Sequence, residues 1–172
     1  ETSYEELLEA YREQILVQAR EGIDLLVAET MLGVTECMAA LDAAASVCSL
    51  PVMCTLTVES DGSLFFGGNI YEAVETLEEM GADAVGINCS TGPDQLLSVV
   101  ENMRKRVNIP LIVKPNAGIP VINAQGQPVY SMEAREFAAC MKHLVDAGAD
   151  IIGGCCGTTP EYIQKLHDTF TL

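Results

Sequence analysis

Gly81-Ala-Asp-Ala-Val-Gly-Ile-Asn-Cys89 and Gly148-Ala-Asp-Ile-Ile-Gly-Gly-Cys-Cys156 are two copies of one unit, and Gly22-Ile-Asp-Leu-Leu-Val-Ala-Glu-Thr30 begins the same way. Each copy follows an amphipathic stretch rich in Glu, Leu and Ala. A glycine at that place ends a helix, because it readily takes the left-handed conformation just past the last turn. A short turn then leads into an apolar run of strand length. Two further runs enter through proline instead: Pro51-Val-Met-Cys-Thr-Leu-Thr57 and Pro110-Leu-Ile-Val-Lys-Pro-Asn116. Proline is tolerated at the first position of a strand, where no ladder donor is needed.

Working outward from these runs, the pattern predicts strands over 23–29, 52–58, 83–89, 110–116 and 150–155. Helices are expected over 3–21, 34–48, 70–80, 93–106, 131–147 and 160–169. The strands are continuous apolar runs, which suits a parallel sheet covered on both faces. Strict alternation of strand and helix points to a (β/α) barrel or a doubly wound sheet. No linker or low-complexity segment divides the chain, so residues 1–172 are expected to form one unit. The longest loop, 117–130, contains Gly118, Pro120, Gly126 and Pro128 and follows a strand end.

Composition narrows the function. The chain has 172 residues and a formal charge of −16. That field repels nucleic acid and anionic membrane surfaces. No apolar run reaches the ~18 residues of a membrane span, and no signal peptide is visible at the start. These features lead us to expect a cytoplasmic protein. Seven cysteines are present, at 37, 48, 54, 89, 140, 155 and 156. An odd count without a secretory signal argues against a disulfide framework. Cys37, Cys48, Cys54 and Cys140 lie in helical or strand patterns and read as small core residues.

Polar and metal-capable residues gather at the C-terminal tips of the strands: Glu29, Thr57, Asn88, Cys89, Asn116, Cys155 and Cys156. In barrels, that rim carries the chemistry. Cys89 and Cys156 each lie eight positions after the leading glycine of their unit, so they are expected at matched depth on two strands separated by one other. Three thiols converging there suit zinc, which binds thiolate at ~2.3 Å and in catalytic sites keeps one position open. Adjacent cysteines in a regular strand point to opposite faces, but Gly153, Gly154 and Gly157 give the backbone freedom to leave the pleat. Gly153-Gly-Cys-Cys-Gly-Thr-Thr-Pro160 also ends a strand and opens a helix, where backbone amides can cradle a phosphate. On spacing alone, zinc and phosphate both remain open.

Gly86-Ile-Asn-Cys89, Lys114-Pro-Asn-Ala-Gly-Ile-Pro120 and Gly153-Gly-Cys-Cys-Gly-Thr-Thr-Pro160 together resemble the homocysteine S-methyltransferase family, with a likeness running from about Gly22 to His167. The resemblance implies a TIM (β/α)8 barrel, with Cys89, Cys155 and Cys156 as zinc ligands. It implies that Glu29 binds the substrate ammonium, with Asn88 and Asn116 as further substrate contacts. Asn116 is also an oxygen ligand to consider when substrate is absent. The implied reaction is methyl transfer to the thiol of homocysteine, giving methionine. Pro115-Asn-Ala-Gly118 is most similar to the cobalamin-dependent branch. This implies cobalamin as a methyl carrier on another domain or protein, fed by methyltetrahydrofolate or another methyl donor. The rivals are a phosphate-binding barrel lyase or synthase and a non-catalytic fragment.

Nothing here matches the Asp-Gly first strand with which that family opens. A closed barrel typically needs about 250 residues. The five strands resemble the fourth to eighth of such a barrel. The expectation is therefore the C-terminal five β/α units, with about three units absent. An N-terminal segment or a second chain would complete the barrel, and the strands ending at Glu29 and Cys155 are expected to form the two edges.

Overall fold

The computed structural model describes residues 2–171. Helix α1 (Tyr4–Arg20) starts at a capping box. The Ser3 hydroxyl accepts from the Glu6 amide at 3.3 Å, and the Glu6 carboxylate accepts from the Ser3 amide at 2.8 Å. This satisfies two donors that the first turn leaves free. There follow β1 (Leu26–Met31), α2 (Val34–Val47), β2 (Val52–Leu56), α3 (Ile70–Glu79) and β3 (Ala84–Cys89). A 3-10 turn at Pro93–Gln95 leads into α4 (Leu97–Arg104), then β4 (Leu111–Pro115). The chain continues through β5 (Pro120–Ile122), β6 (Pro128–Tyr130), α5 (Ala134–Asp146), β7 (Ile151–Ile152) and α6 (Pro160–Phe170).

The main sheet is parallel throughout, in the order β1-β2-β3-β4-β7. β1 and β7 are its edges, as expected from the pattern. Among the described residues the sheet does not close on itself. The core lies between the sheet and the helices, with Cys37, Cys54, Leu56, Val74, Met103 and Phe137 fully buried. Phe137 of α5 meets Tyr162 of α6 edge to face, with ring centroids 5.5 Å apart. Cys48 and Cys140 are half-buried.

Four expectations change in the structure. The first strand begins at Leu26, not at 23, and only its alternate residues are buried: Leu26 and Ala28 are, whereas Val27 is 46% exposed. Its apolar run resembles a doubly covered strand, but an edge strand with helices on one side only buries one face. The helix expected over 93–106 is split at Leu96, whose backbone (φ −104, ψ −1) is not that of a regular helix. The last strand shrinks to two residues, because it has a partner on one side only and Gly153-Gly154 lets it leave the pleat. Its amides still reach β4, with Gly153 N to Val113 O at 3.3 Å and Cys155 N to Pro115 O at 2.8 Å. Finally, the expected loop 117–130 contains an antiparallel hairpin, β5 paired with β6. The Asn123 side chain accepts from the amides of Gln125 and Gln127 to close its turn.

Candidate metal centre

Cys89 is the last residue of β3, and Cys155 and Cys156 lie just beyond β7. β4 separates those two strands. The Sγ atoms of Cys89 and Cys155 are 3.3 Å apart, those of Cys89 and Cys156 3.5 Å, and those of Cys155 and Cys156 4.0 Å. Sulfurs bound at ~2.3 Å to one tetrahedral metal would lie about 3.8 Å apart. The three thiols therefore fit a zinc ion with no rearrangement of the backbone, and among the described residues they form the one such cluster of metal-capable side chains.

Local backbone strain aims the first thiol. Cys89 and Ser90 both adopt left-handed conformations, at φ 61° and 66°. Non-glycine residues pay roughly 1–3 kcal/mol for such geometry, and it persists only where neighbours enforce it. Here the end of β2 does so. The Ser90 amide donates to Thr57 Oγ1 at 3.1 Å, and Ser90 Oγ accepts from the Val58 amide at 2.9 Å.

Two buried asparagines hold the rest. Asn88 Oδ1 accepts from the Thr30 amide at 2.9 Å and from Thr55 Oγ1 at 2.8 Å. Its Nδ2 donates to Thr30 Oγ1 at 2.7 Å and points to Cys155 Sγ at 3.8 Å. Asn116 Oδ1 accepts from the Cys156 amide at 3.0 Å, and its Nδ2 donates to the Ser90 carbonyl at 3.1 Å. Both amides are thus engaged by the chain itself. They brace the cysteine-bearing turns, and Asn116, with one bond at each end of its amide, keeps a second N–H and a second lone pair.

Electrostatics differ across the cluster. Burial, helped by the two neighbouring sulfurs, pushes the Cys89 thiol up to about 12. Burial also opposes ionisation of Cys155, but hydrogen bonds from Cys89, Asn88 and Cys156 outweigh it and hold this thiol below its ordinary value.

Glu29 sits in a bulge. The β1–β2 register runs from Ala28↔Cys54 to Met31↔Leu56, so Glu29 and Thr30 together face Thr55. Thr30 takes φ 62° there. The extra residue turns the Glu29 side chain to Lys114 of β4, with which it forms an ion pair. Around the Cys-Cys turn, a Cβ at Gly154 would fall 2.5 Å from Thr158, and one at Gly157 (φ 80°) would fall 2.3 Å from the Tyr130 ring. Only glycine fits at either place.

A family profile described as homocysteine S-methyltransferase matches residues 1–170. This chain belongs to the homocysteine S-methyltransferase family. Methionine synthases from Mycobacterium leprae and Mycobacterium tuberculosis are each 32% identical to it over 171 residues, which is 96% of this chain and 14% of theirs. The chain therefore spans about a seventh of the length of these relatives. The apo form of the homocysteine methyltransferase MmuM from Escherichia coli shares the fold, with a TM-score of 0.78 at 24% identity, over 98% of this chain and 58% of that one. The metallated form of that enzyme gives 0.75 at 24% identity.

The sequence reading of this family member missed Thr30, Thr55, Ser90, Lys114 and Tyr130 as parts of the site. Thr30 occupies the same place in its unit as Cys89 and Cys156, eight positions after the leading glycine. That register could have flagged it. Tyr130 gave no signal, because only the hairpin brings it over Gly157. Burial first, and then the Cys156 sulfur, raise its phenol pKa.

Proposed function

We propose that this chain is the zinc-binding, homocysteine-activating part of a methyltransferase that makes methionine. The observation that carries this reading is the approach of three sulfurs, from strand ends 66 and 67 residues apart in sequence, to within 3.3–4.0 Å of one another. Cys89, Cys155 and Cys156 would hold a zinc ion and leave its fourth position to the substrate. Bound zinc supplies the positive charge that turns a thiol in that position into a nucleophilic thiolate at neutral pH.

The chain's own residues supply position. Asn88 and Asn116 fix Cys155 and Cys156 through the hydrogen bonds described above. Glu29 offers its carboxylate to the homocysteine ammonium in exchange for Lys114. The net reaction forms a bond from sulfur to the methyl carbon, breaks that carbon's bond to its donor, and releases the thiol proton. No general acid is needed at the sulfur. Consistent with this, His143 and His167 lie on α5 and α6 and not at strand ends. Cobalamin on another domain or protein, charged from methyltetrahydrofolate, is the methyl carrier we favour, given the resemblance to methionine synthases.

We read the five-stranded sheet, residues 1–172, as the C-terminal part of a (β/α)8 barrel. Two observations support this. The chain covers only 58% of the solved homocysteine methyltransferase whose fold it shares. An open cleft of about 410 Å³ runs between α1 and the free edge of β1, lined by Tyr11, Ile15, Leu26, Ala28 and Glu29. Among the described residues no helix is long and apolar enough to cross a membrane, in keeping with a cytoplasmic site of action.

Part of the same turn is closed to the phosphate-binding alternative. The amides of Gly153, Cys155, Cys156 and Thr158 all donate within the chain, and Pro160 at the start of α6 has no amide proton. Metal analysis of the purified protein tests the proposal. One zinc per chain is expected, with at least a tenfold loss of zinc affinity in Cys156→Ala. Full zinc retention in that variant would overturn the assignment. Methyl-transfer assays of the 172-residue chain beside the longer polypeptide separate a working domain from an inactive piece.

A further inference from the structure

The β5–β6 hairpin is tied down at its root. The Ala117 amide donates to the Cys156 carbonyl at 2.9 Å, and the Ala117 carbonyl accepts from the Met132 amide at 3.3 Å. From α6, the Tyr162 hydroxyl donates to the Met132 carbonyl at 2.6 Å. These bonds hold Tyr130, two residues before Met132, against the turn that follows Cys156. A Cβ at Gly157 would stand 2.3–2.8 Å from Cγ, Cδ1 and Cδ2 of its ring. The ring is thus fixed beside the Cys-Cys turn. Its hydroxyl is turned to the sulfurs: burial first, and then Cys156, Cys89 and Cys155 in that order, raise the phenol pKa.

The three sulfurs are served unequally. Cys155 is approached by the Asn88 amide at 3.8 Å. Cys156 is the exposed one of the three, and among the described residues no amide donates to its sulfur. Three thiolates on one zinc ion leave the site with excess negative charge, and groups that donate to such ligands both orient them and spread that charge. The segment around Tyr130 brings no cation, because the sequence holds no charged residue between Lys114 and Glu133. A neutral O–H is the donor it offers. We propose that Tyr130 is a positioning residue of the metal centre: its hydroxyl donates to the Cys156 thiolate, as the Asn88 amide does to Cys155. This rests on the zinc reading above. The hairpin then acts as a strap that delivers one donor to the ligand most open to solvent.

The test uses the full-length protein loaded with Co(II) in place of zinc, and reads the sulfur-to-cobalt charge-transfer band. Tyr130→Phe removes the hydroxyl and keeps the ring on Gly157. A thiolate that loses a hydrogen bond holds its electrons less tightly, so the band should move to longer wavelength. Zinc affinity, measured by competition with a chelator, should fall about tenfold. Tyr130→Ala removes ring and hydroxyl together and should lower zinc affinity further. The band separates the two roles, because ring packing by itself does not change the electrons on sulfur. An unshifted band in Tyr130→Phe overturns the proposal, whatever the affinity, and leaves the ring as packing against Gly157. If wild-type protein takes up neither Co(II) nor zinc, the zinc reading itself falls, and the role of Tyr130 with it. If it takes up metal and Tyr130→Phe changes nothing, only the role of Tyr130 falls.

Discussion

Asn88 joins three things that would otherwise be independent: the strained Thr30 bulge, the Thr55 hydroxyl and the Cys155 sulfur. Its side chain is 1% exposed, so water cannot replace it. Asn88→Ala should cost about 1–3 kcal/mol for the buried groups left unpaired, measured by denaturant unfolding. Zinc affinity should fall about 10- to 100-fold, the usual effect of removing a group that orients a ligand. A variant of normal stability and normal zinc affinity would contradict that role. Glu29→Gln tests the opposite edge. It should raise the Michaelis constant for homocysteine about tenfold, through loss of a charge-assisted hydrogen bond, and leave zinc content unchanged. Acid should release the metal, because the ligand thiolates take up protons as the pH falls and the metal then competes less well for them.

Element packing depends on close backbone approaches that only glycine permits. A Cβ at Gly86 in β3 would sit 1.9 Å from the Ile112 carbonyl oxygen of β4. Backbone cannot yield as a flexible side chain can, so Gly86→Ala should force β3 and β4 apart and destabilise the protein by more than about 3 kcal/mol. Thermal unfolding would show this as a large fall in midpoint or as failure to fold. Gly157→Ala is expected to act more locally. It would push Tyr130, and with it the β5–β6 hairpin, off the Cys-Cys turn. Zinc affinity should fall more than global stability does, and the two measured together separate the elements.

At the level of the whole molecule, the sheet ends, among the described residues, in two free edges with an open cleft beside β1, and Val17, Leu25 and Val27 are exposed nearby. Free strand edges and apolar surface invite pairing with another chain. The 172-residue chain by itself should therefore bind an apolar-surface dye and self-associate in light scattering, and the same residues within the longer polypeptide should do neither. A stable, dye-silent monomer of the short chain would contradict the barrel reading.

The sequence by itself determined the order of elements, the parallel sheet and the three thiols. The Gly-x-Asp units repeat a local rule, helix stop then buried strand, and local rules are written in local residues. The matched eight-residue spacing marked Cys89 and Cys156, whose sulfurs lie 3.5 Å apart. Only the tertiary structure decided the roles of the polar residues between. Asn88 and Asn116 read as substrate contacts in the sequence, and the structure adds a bracing role: Asn88 accepts from the Thr30 amide, and Asn116 accepts from the Cys156 amide and donates to the Ser90 carbonyl. The Glu29–Lys114 pair joins residues 85 positions apart on strands that are not neighbours. The hairpin over Gly157 was hidden because glycine and proline mark a turn without saying whether its flanks will pair. Such contacts depend on sheet curvature and on which side chain reaches a partner first, and no local pattern encodes either.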